Sequence, residues 1–236
     1  NDSRLIVLPG PALGPLAEAG QLGPAEKTVL ALWRSPERLQ VAASPDTPIK
    51  ATVMDIASFG EVGLVAARRG ADGRIAPLRL GTVTAPQDGD RSVMIAETAR
   101  SAANTLMLAG PMVPVHAFPP GAADGDEPHL TADENGYVDT GFPCRLDPGG
   151  DTLTVTGPPG GITAIGAYRF RSGEIEARVA HADATATVVA LPDAILGQRL
   201  AGSTTDREAV FALLRQSGAN PLIGAAFAPR GRANAA

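Results

Sequence analysis

The side chains able to do chemistry in this chain are few and scattered. The three histidines, His116, His129 and His181, lie far apart, and no pair has the spacing of metal ligands. His129 stands among Asp124, Asp126 and Glu127 in a Pro/Gly/acidic stretch that reads as a solvated loop. His181 falls at an expected helix end, where an imidazole suits the helix dipole. Cys144 is the only cysteine, which excludes a disulfide framework and argues against a cysteine-based zinc site. Beside Arg145 its thiol has a route to a lowered pKa, although a packed, quiet cysteine is the commoner state. No Gly-x-Ser-x-Gly elbow supports a Ser-His-Asp triad. Gly10-Pro11-Ala12-Leu13-Gly14 lacks the Gly-Lys-Ser/Thr of a phosphate loop, and its prolines remove backbone donors. It reads as a strand-to-helix turn.

The elements that would position any site follow from pattern. The apolar share of 44% is enough for a core, and aromatics at 4% leave packing to aliphatic side chains. With 27 glycines and 21 prolines, many short elements and tight turns are expected. The net charge of −5 is spread over both signs, so no basic stripe marks a nucleic-acid surface. No apolar run approaches the roughly 20 residues of a membrane span, and no signal peptide is visible. A cytoplasmic protein is expected. Asn1 opens the chain almost inside a core element, so it is expected to be part of a longer protein.

Buried strands are expected at Leu5–Leu8, Thr28–Trp33 and Ala51–Ile56, with a helix through Leu13–Ala19. Phe59–Ala67 reads as a turn feeding a strand, and Arg69–Gly73 as a turn. Ser92–Glu97, Thr105–Ala109 and Val113–Phe118 are strand-like, and Pro119–Asp133 is a loop. The pattern changes after Arg145, where a domain boundary is placed. Thr152–Thr156, Ile162–Ile165, Ala184–Leu191 and Arg199–Gly202 read as strands. Ser172 caps a helix to about His181, and Thr205 to Glu208 forms a capping box for a helix that Gly218 stops.

Three blocks in this order carry a family resemblance. Gly136-Tyr137-Val138-Asp139-Thr140-Gly141-Phe142 is similar to the Gly-Trp/Tyr-x-x-Thr-Gly-Asp motif of adenylate-forming enzymes. Gly157 to Glu176 tracks that family's Gly-Arg-x-Lys-Asp-x-x-x-x-Gly-Gly-Tyr-x-Val-x-Pro-x-Glu-Ile-Glu without a gap. Val188 to Gln198 resembles its Val-Val-Gly-x-Pro-Asp-x-x-Leu-Gly-Glu. Upstream, Thr105–Val113 and Ser58–Gly63 match more softly, the latter where such enzymes carry Tyr-Gly-x-Thr-Glu. The chain therefore resembles the C-terminal half of an AMP-forming acyl-CoA synthetase.

The resemblance implies an α/β fold. Residues 1–144 would be the strand-rich end of the large adenylation domain, and residues 145–236 the small α+β lid domain. It also implies an enzyme that makes an acyl-adenylate from a small carboxylic acid and ATP with Mg, then passes the acyl group to CoA. Thr140, Gly141 and Phe142 would mark the nucleotide site, and Gly166, Ala167, Tyr168 and Arg169 a loop facing CoA. Pro159, Gly160 and Gly161 would be the hinge of the lid. Glu61 would approach the Mg of Mg-ATP, or stand exposed on a strand edge. Glu174 and Glu176 match the family, and their charge suits a helix N-terminus.

Three departures weigh against catalysis. Phe142 replaces the aspartate that grips the ribose, which would lose a charged partner worth roughly 1.5–3 kcal/mol. Pro158 replaces a nucleotide-facing arginine, and no lysine follows Lys50, so the catalytic lysine is missing. Ala228-Pro229-Arg230-Gly231-Arg232 resembles the family's Pro-Arg-x-x-x-Gly-Lys ending, but Arg232 is not an equivalent point cation. The expected protein is thus a ligase fragment, inactive alone and completed by an N-terminal half. The alternative is a non-catalytic interaction module that keeps the fold.

Overall fold

The computed structural model describes residues 4–39, 48–60, 62–70, 73, 75, 77–85, 93–114, 131–165, 168–193 and 196–228. The described residues divide into two compact units, 1–160 and 161–236.

The first unit begins with apolar runs that alternate in burial. Strands β1 (Leu5–Pro9), β2 (Thr28–Trp33), β3 (Thr52–Ser58) and β4 (Leu64–Arg68) form one sheet in that order. The first three run parallel, with Val7 opposite Leu30 and Leu30 opposite Met54, and β4 returns antiparallel. Helix α1 (Leu13–Glu18) covers one face, where Leu13 and Ala17 pack with Leu8, Val29, Ala31 and Val53. Trp33 lies flat over Gly10, whose missing Cβ would stand 2.3 Å from the indole. On the same face Asp55, buried, takes hydrogen bonds from Trp33 Nε1 at 2.9 Å and Arg69 Nη2 at 2.8 Å. An ion pair this deep holds its geometry because neither partner has water to fall back on.

The second sheet of this unit is a six-stranded meander with a late return. Strands β5 (Leu78–Arg79), β6 (Gly81–Ala85), β7 (Val93–Arg100), β8 (Thr105–Ala109), β9 (Val138–Leu146) and β10 (Thr152–Val155) take the order β5-β10-β9-β8-β7-β6. Its core joins Leu106, Leu108, Val138, Phe142, Leu153 and Val155 to Phe59, Val62 and Val65. The expected boundary near Arg145 is corrected here. Strand β9 runs through Arg145 and pairs with β10, Arg145 opposite Thr154. The residues after that expected boundary form the hairpin turn Asp147–Asp151, in which Asp147 Oδ1 accepts from Thr152 N at 2.9 Å. These contacts hold the Asp147 carboxyl below its ordinary pKa, chiefly through the Thr152 amide.

The second unit is α+β, as expected for the last third. Strands β11 (Ile162–Ile165), β12 (Tyr168–Arg171), β13 (Thr187–Asp193) and β14 (Gly197–Ser203) form an antiparallel sheet in the order β12-β11-β14-β13. Helices α2 (Ser172–Ala182), α3 (Arg207–Gln216) and α4 (Pro221–Ala225) share its core through Ile175, Val179, Val210, Leu214, Ile223 and Phe227. Two caps differ from expectation. Ser172 lies inside α2, and its hydroxyl meets Thr163 Oγ1 at 2.8 Å. Asp206, not Thr205, caps α3 by accepting from Ala209 N at 2.9 Å. Thr205 instead joins Thr204 and Asp206 in donating to Asp183 Oδ2, which ties the start of α3 to the end of α2.

Candidate functional site

The Gly136–Phe142 block is built on a turn and a bulge. Asp133 Oδ1 accepts from Asn135 N at 2.9 Å and Tyr137 N at 2.8 Å, and Gly136 takes φ 82°, a conformation glycine adopts without strain. Tyr137 OH donates to Glu97 Oε2 at 3.2 Å, and burial followed by that carboxylate raises its pKa. Along β9 the register then slips. Met107 faces Asp139 but Thr105 faces Pro143, so β9 carries two extra residues opposite β8. Gly141, at φ 71°, absorbs the bulge.

The polar side chains of the bulge have local partners. Asp139 accepts from Gly141 N at 2.8 Å and Thr105 Oγ1 at 2.7 Å. Thr140, buried, donates through Oγ1 to Leu106 O at 2.7 Å and accepts from Phe142 N at 3.2 Å. Phe142 itself is 1% exposed and meets Phe59 edge-to-face, with ring centres 5.4 Å apart. The sequence reading puts the ribose-binding position at Phe142. The structure turns that side chain into the hydrophobic core. A nucleotide diol finds no acceptor on it, and Pro158 offers no donor. These residues do not fit a nucleotide.

The expected hinge coincides with the division between units. Pro159 and Gly160 close the first, and Gly161, at φ 73°, opens the second, where its carbonyl accepts from Ser172 N at 2.8 Å. Tyr168 is exposed at the start of β12 and stacks on Phe170 at 6.3 Å. Arg169 follows it, half-buried. Glu61, Gly166, Ala167 and Arg232 lie outside the described residues, as do His116, His129 and Val115–Phe118. Glu174 and Glu176 are exposed in the first turns of α2, as their helix-terminus reading expects.

The third block acquires a structural role that spacing alone did not disclose. Leu196 N donates to Asp193 Oδ1 at 2.8 Å in the turn between β13 and β14. Gln198 Oε1 then accepts from Ala164 N at 3.0 Å, pinning β11 to β14. Cys144 is buried, and burial raises its thiol pKa although Arg100 pulls the other way. It is the quiet cysteine of the two readings.

One feature had no legible signal: a cavity of about 500 Å³ in the first unit, lined by Leu39, Ala57, Phe59, Val65, Leu78 and Val83 among others. Its lining comes from five separate stretches of sequence, so no local motif marks it. Among the described residues no group of histidine, cysteine or carboxylate side chains could hold a metal ion. Among them, too, no helix is long and apolar enough to cross a membrane.

No family model matches the sequence, and no curated protein does. Solved structures do match in fold. The amide bond synthetase McbA from Marinactinospora thermotolerans shares 18% identity, with a TM-score of 0.58 over 89% of this chain and 44% of that one. A malonyl-CoA ligase with methylmalonyl-CoA and AMP bound shares 17%, with a TM-score of 0.54 over 98% and 51%. The adenylation–carrier protein fusion NpsA-ThdA from Klebsiella oxytoca shares 15%, with a TM-score of 0.52 over 95% and 42%. The chain therefore spans about half the length of these proteins, and over that half it shares their fold.

Proposed function

We propose that this chain is the C-terminal portion of an AMP-forming acid–thiol ligase, or a degenerate relative of one, and that it does not catalyse alone. Residues up to the Pro159–Gly161 turn form the closing part of the large domain, and the remainder forms the lid. The supporting observation is the coincidence of motif and architecture. The Thr140-Gly141 bulge precedes a glycine turn, and the compact units divide within that turn. The complete enzyme would use ATP, Mg and CoA with a small carboxylic acid. The half supplying the phosphate loop would be a separate segment.

A second reading has its own observation. Phe142 is packed into the core where the ligases carry a ribose-binding aspartate. That favours an interaction module which keeps the fold without the chemistry. Both readings expect weak or undetectable AMP binding by this chain. Calorimetric titration with AMP tests them together: micromolar affinity would overturn the reading of the site. Addition of a complementing first half separates them, since only the ligase reading expects pyrophosphate release to appear.

A further inference from the structure

A buried carboxylate with an unused oxygen lies in the wall of the first unit's cavity. The floor of that cavity is the face shared by β3 and β4, where Asp55 stands opposite Ala67 and Ala57 opposite Val65. Directly opposed residues on neighbouring strands project to the same side of a sheet, so all four belong to one surface. Leu78, Val83 and Val155 bring the second sheet to the cavity, and Leu39 comes from the turn after β2. Within this lining Asp55 is 1% exposed. Its Oδ1 accepts from both Trp33 Nε1 and Arg69 Nη2, whereas the buried Oδ2 has no partner. An ionised carboxylate accepts on both oxygens, and buried polar atoms are as a rule partnered. An acceptor left open beside a cavity is a place for a ligand's donor.

We propose that this cavity binds a small neutral molecule of the phenol class, with an apolar aromatic body and a hydroxyl that donates to Asp55 Oδ2. Charge excludes the ionic alternatives. Asp55 is already neutralised by Arg69 at 2.8 Å, and Arg68 adds positive charge to the lining, so a cation gains no unpaired carboxylate there. A carboxylate ligand would meet the charge of Asp55 and has no donor for Oδ2. The size suits an organic molecule. At about 500 Å³ the cavity falls within the roughly 300–1,000 Å³ of small-molecule sites. A single water on Oδ2 would use about 30 Å³ of that space. The rest is bounded mainly by aliphatic side chains and the Phe59 ring, which suit an apolar ring and give ordered water few partners. The inference stands on the first unit alone and is independent of the ligase reading.

The experiment titrates the full chain with 2-naphthol at neutral pH and reads the probe's fluorescence. Its control is 2-methoxynaphthalene, which keeps the rings but lacks the O–H. The expected result is saturable binding of 2-naphthol, with 2-methoxynaphthalene bound at least about tenfold more weakly. Ala67→Leu enlarges the floor residue opposite Asp55 and should weaken 2-naphthol by about tenfold or more. Val189→Leu, at an exposed position in the second unit, leaves binding unchanged. If Ala67→Leu loses its circular dichroism, the two probes on the unaltered chain carry the test. No saturable binding overturns the proposal, because the cavity would then hold only water. Equal binding of the two probes overturns it as well, because Asp55 would take no part. So does binding that a folded Ala67→Leu leaves intact, since the probe would lie elsewhere. Displacement of 2-naphthol by AMP also overturns it, because the cavity would then be a nucleotide site.

Discussion

Phe142→Asp installs the residue that the sequence resemblance implies at this position, and the structure predicts that it destabilises the first unit instead of repairing a nucleotide site. The ring is 1% exposed and touches Phe59 edge-to-face within the core of Leu106, Leu108, Val138 and Val155. Removing a buried phenylalanine ring costs about 3–5 kcal/mol through lost transfer energy and the cavity left behind. Aspartate adds an unpaired carboxylate, which burial penalises until it takes up a proton. A loss of at least about 3–5 kcal/mol is a large part of the roughly 5–15 kcal/mol that holds a domain together. For a unit of this size it corresponds to a melting point lower by about 6–20 °C. Burial raises the pKa of the introduced carboxyl in the folded state. The extra penalty is therefore full above that raised value and fades as pH falls below it. Phe142→Leu, which roughly conserves volume, should cost less than about 1.5 kcal/mol. Scanning calorimetry of the three proteins, with AMP titrations alongside, is the assay. Wild-type melting of Phe142→Asp together with micromolar AMP binding would overturn the core placement of this side chain, since the position would then face a nucleotide.

Three further outcomes follow from other parts of the molecule. Gly202→Ala would place a Cβ 2.4 Å from the Phe227 ring in the second unit, and this overpacking should cost about 1–3 kcal/mol in urea unfolding. Arg69→Met leaves Asp55 buried without its cation and should cost about 3–5 kcal/mol, whereas Asp55→Asn/Arg69→Met should recover part of that loss. Hydrogen bonds, first from the Thr204 hydroxyl and then from Thr185, hold the Asp183 carboxyl far below its ordinary pKa. Its contribution to stability is therefore full above the unfolded carboxylate value, near pH 4, and is lost as pH falls toward the depressed folded value. Melting measured from pH 6 to pH 2 should fall more steeply in the wild type than in Asp183→Ala.

Much of the fold was legible where a strand is apolar and bounded by turn residues. Thr28–Trp33, Thr105–Ala109 and Ile162–Ile165 are strands at the bounds their sequences indicate. Strand β9 went unread: Gly141 and Pro143 are poor strand residues, and only the bulge lets both sit in a ladder. The same ambiguity displaced the domain boundary. Asp147-Pro148-Gly149-Gly150 closes a hairpin, and the units divide within Pro159–Gly161, the expected hinge. Strand β12 went unread, although Tyr-Arg-Phe-Arg alternates as a strand should. At the site, the spacing of Thr140, Gly141 and Phe142 was visible, but the direction of the Phe142 side chain was not. That direction is set by Phe59, more than eighty residues earlier in the chain.

We propose that this chain, which shares the fold of these ligases over about half their length, does not catalyse alone. Pyrophosphate release by the purified chain, with a panel of carboxylic acids, ATP and magnesium, with and without CoA, tests it most directly. No release above background is expected. Loss of a single preorganised donor or cation already costs roughly a hundredfold to a thousandfold in rate. Here Phe142 is in the core, Pro158 stands where the resemblance implies an arginine, and no lysine follows Lys50. Turnover well above background by the chain alone would contradict it.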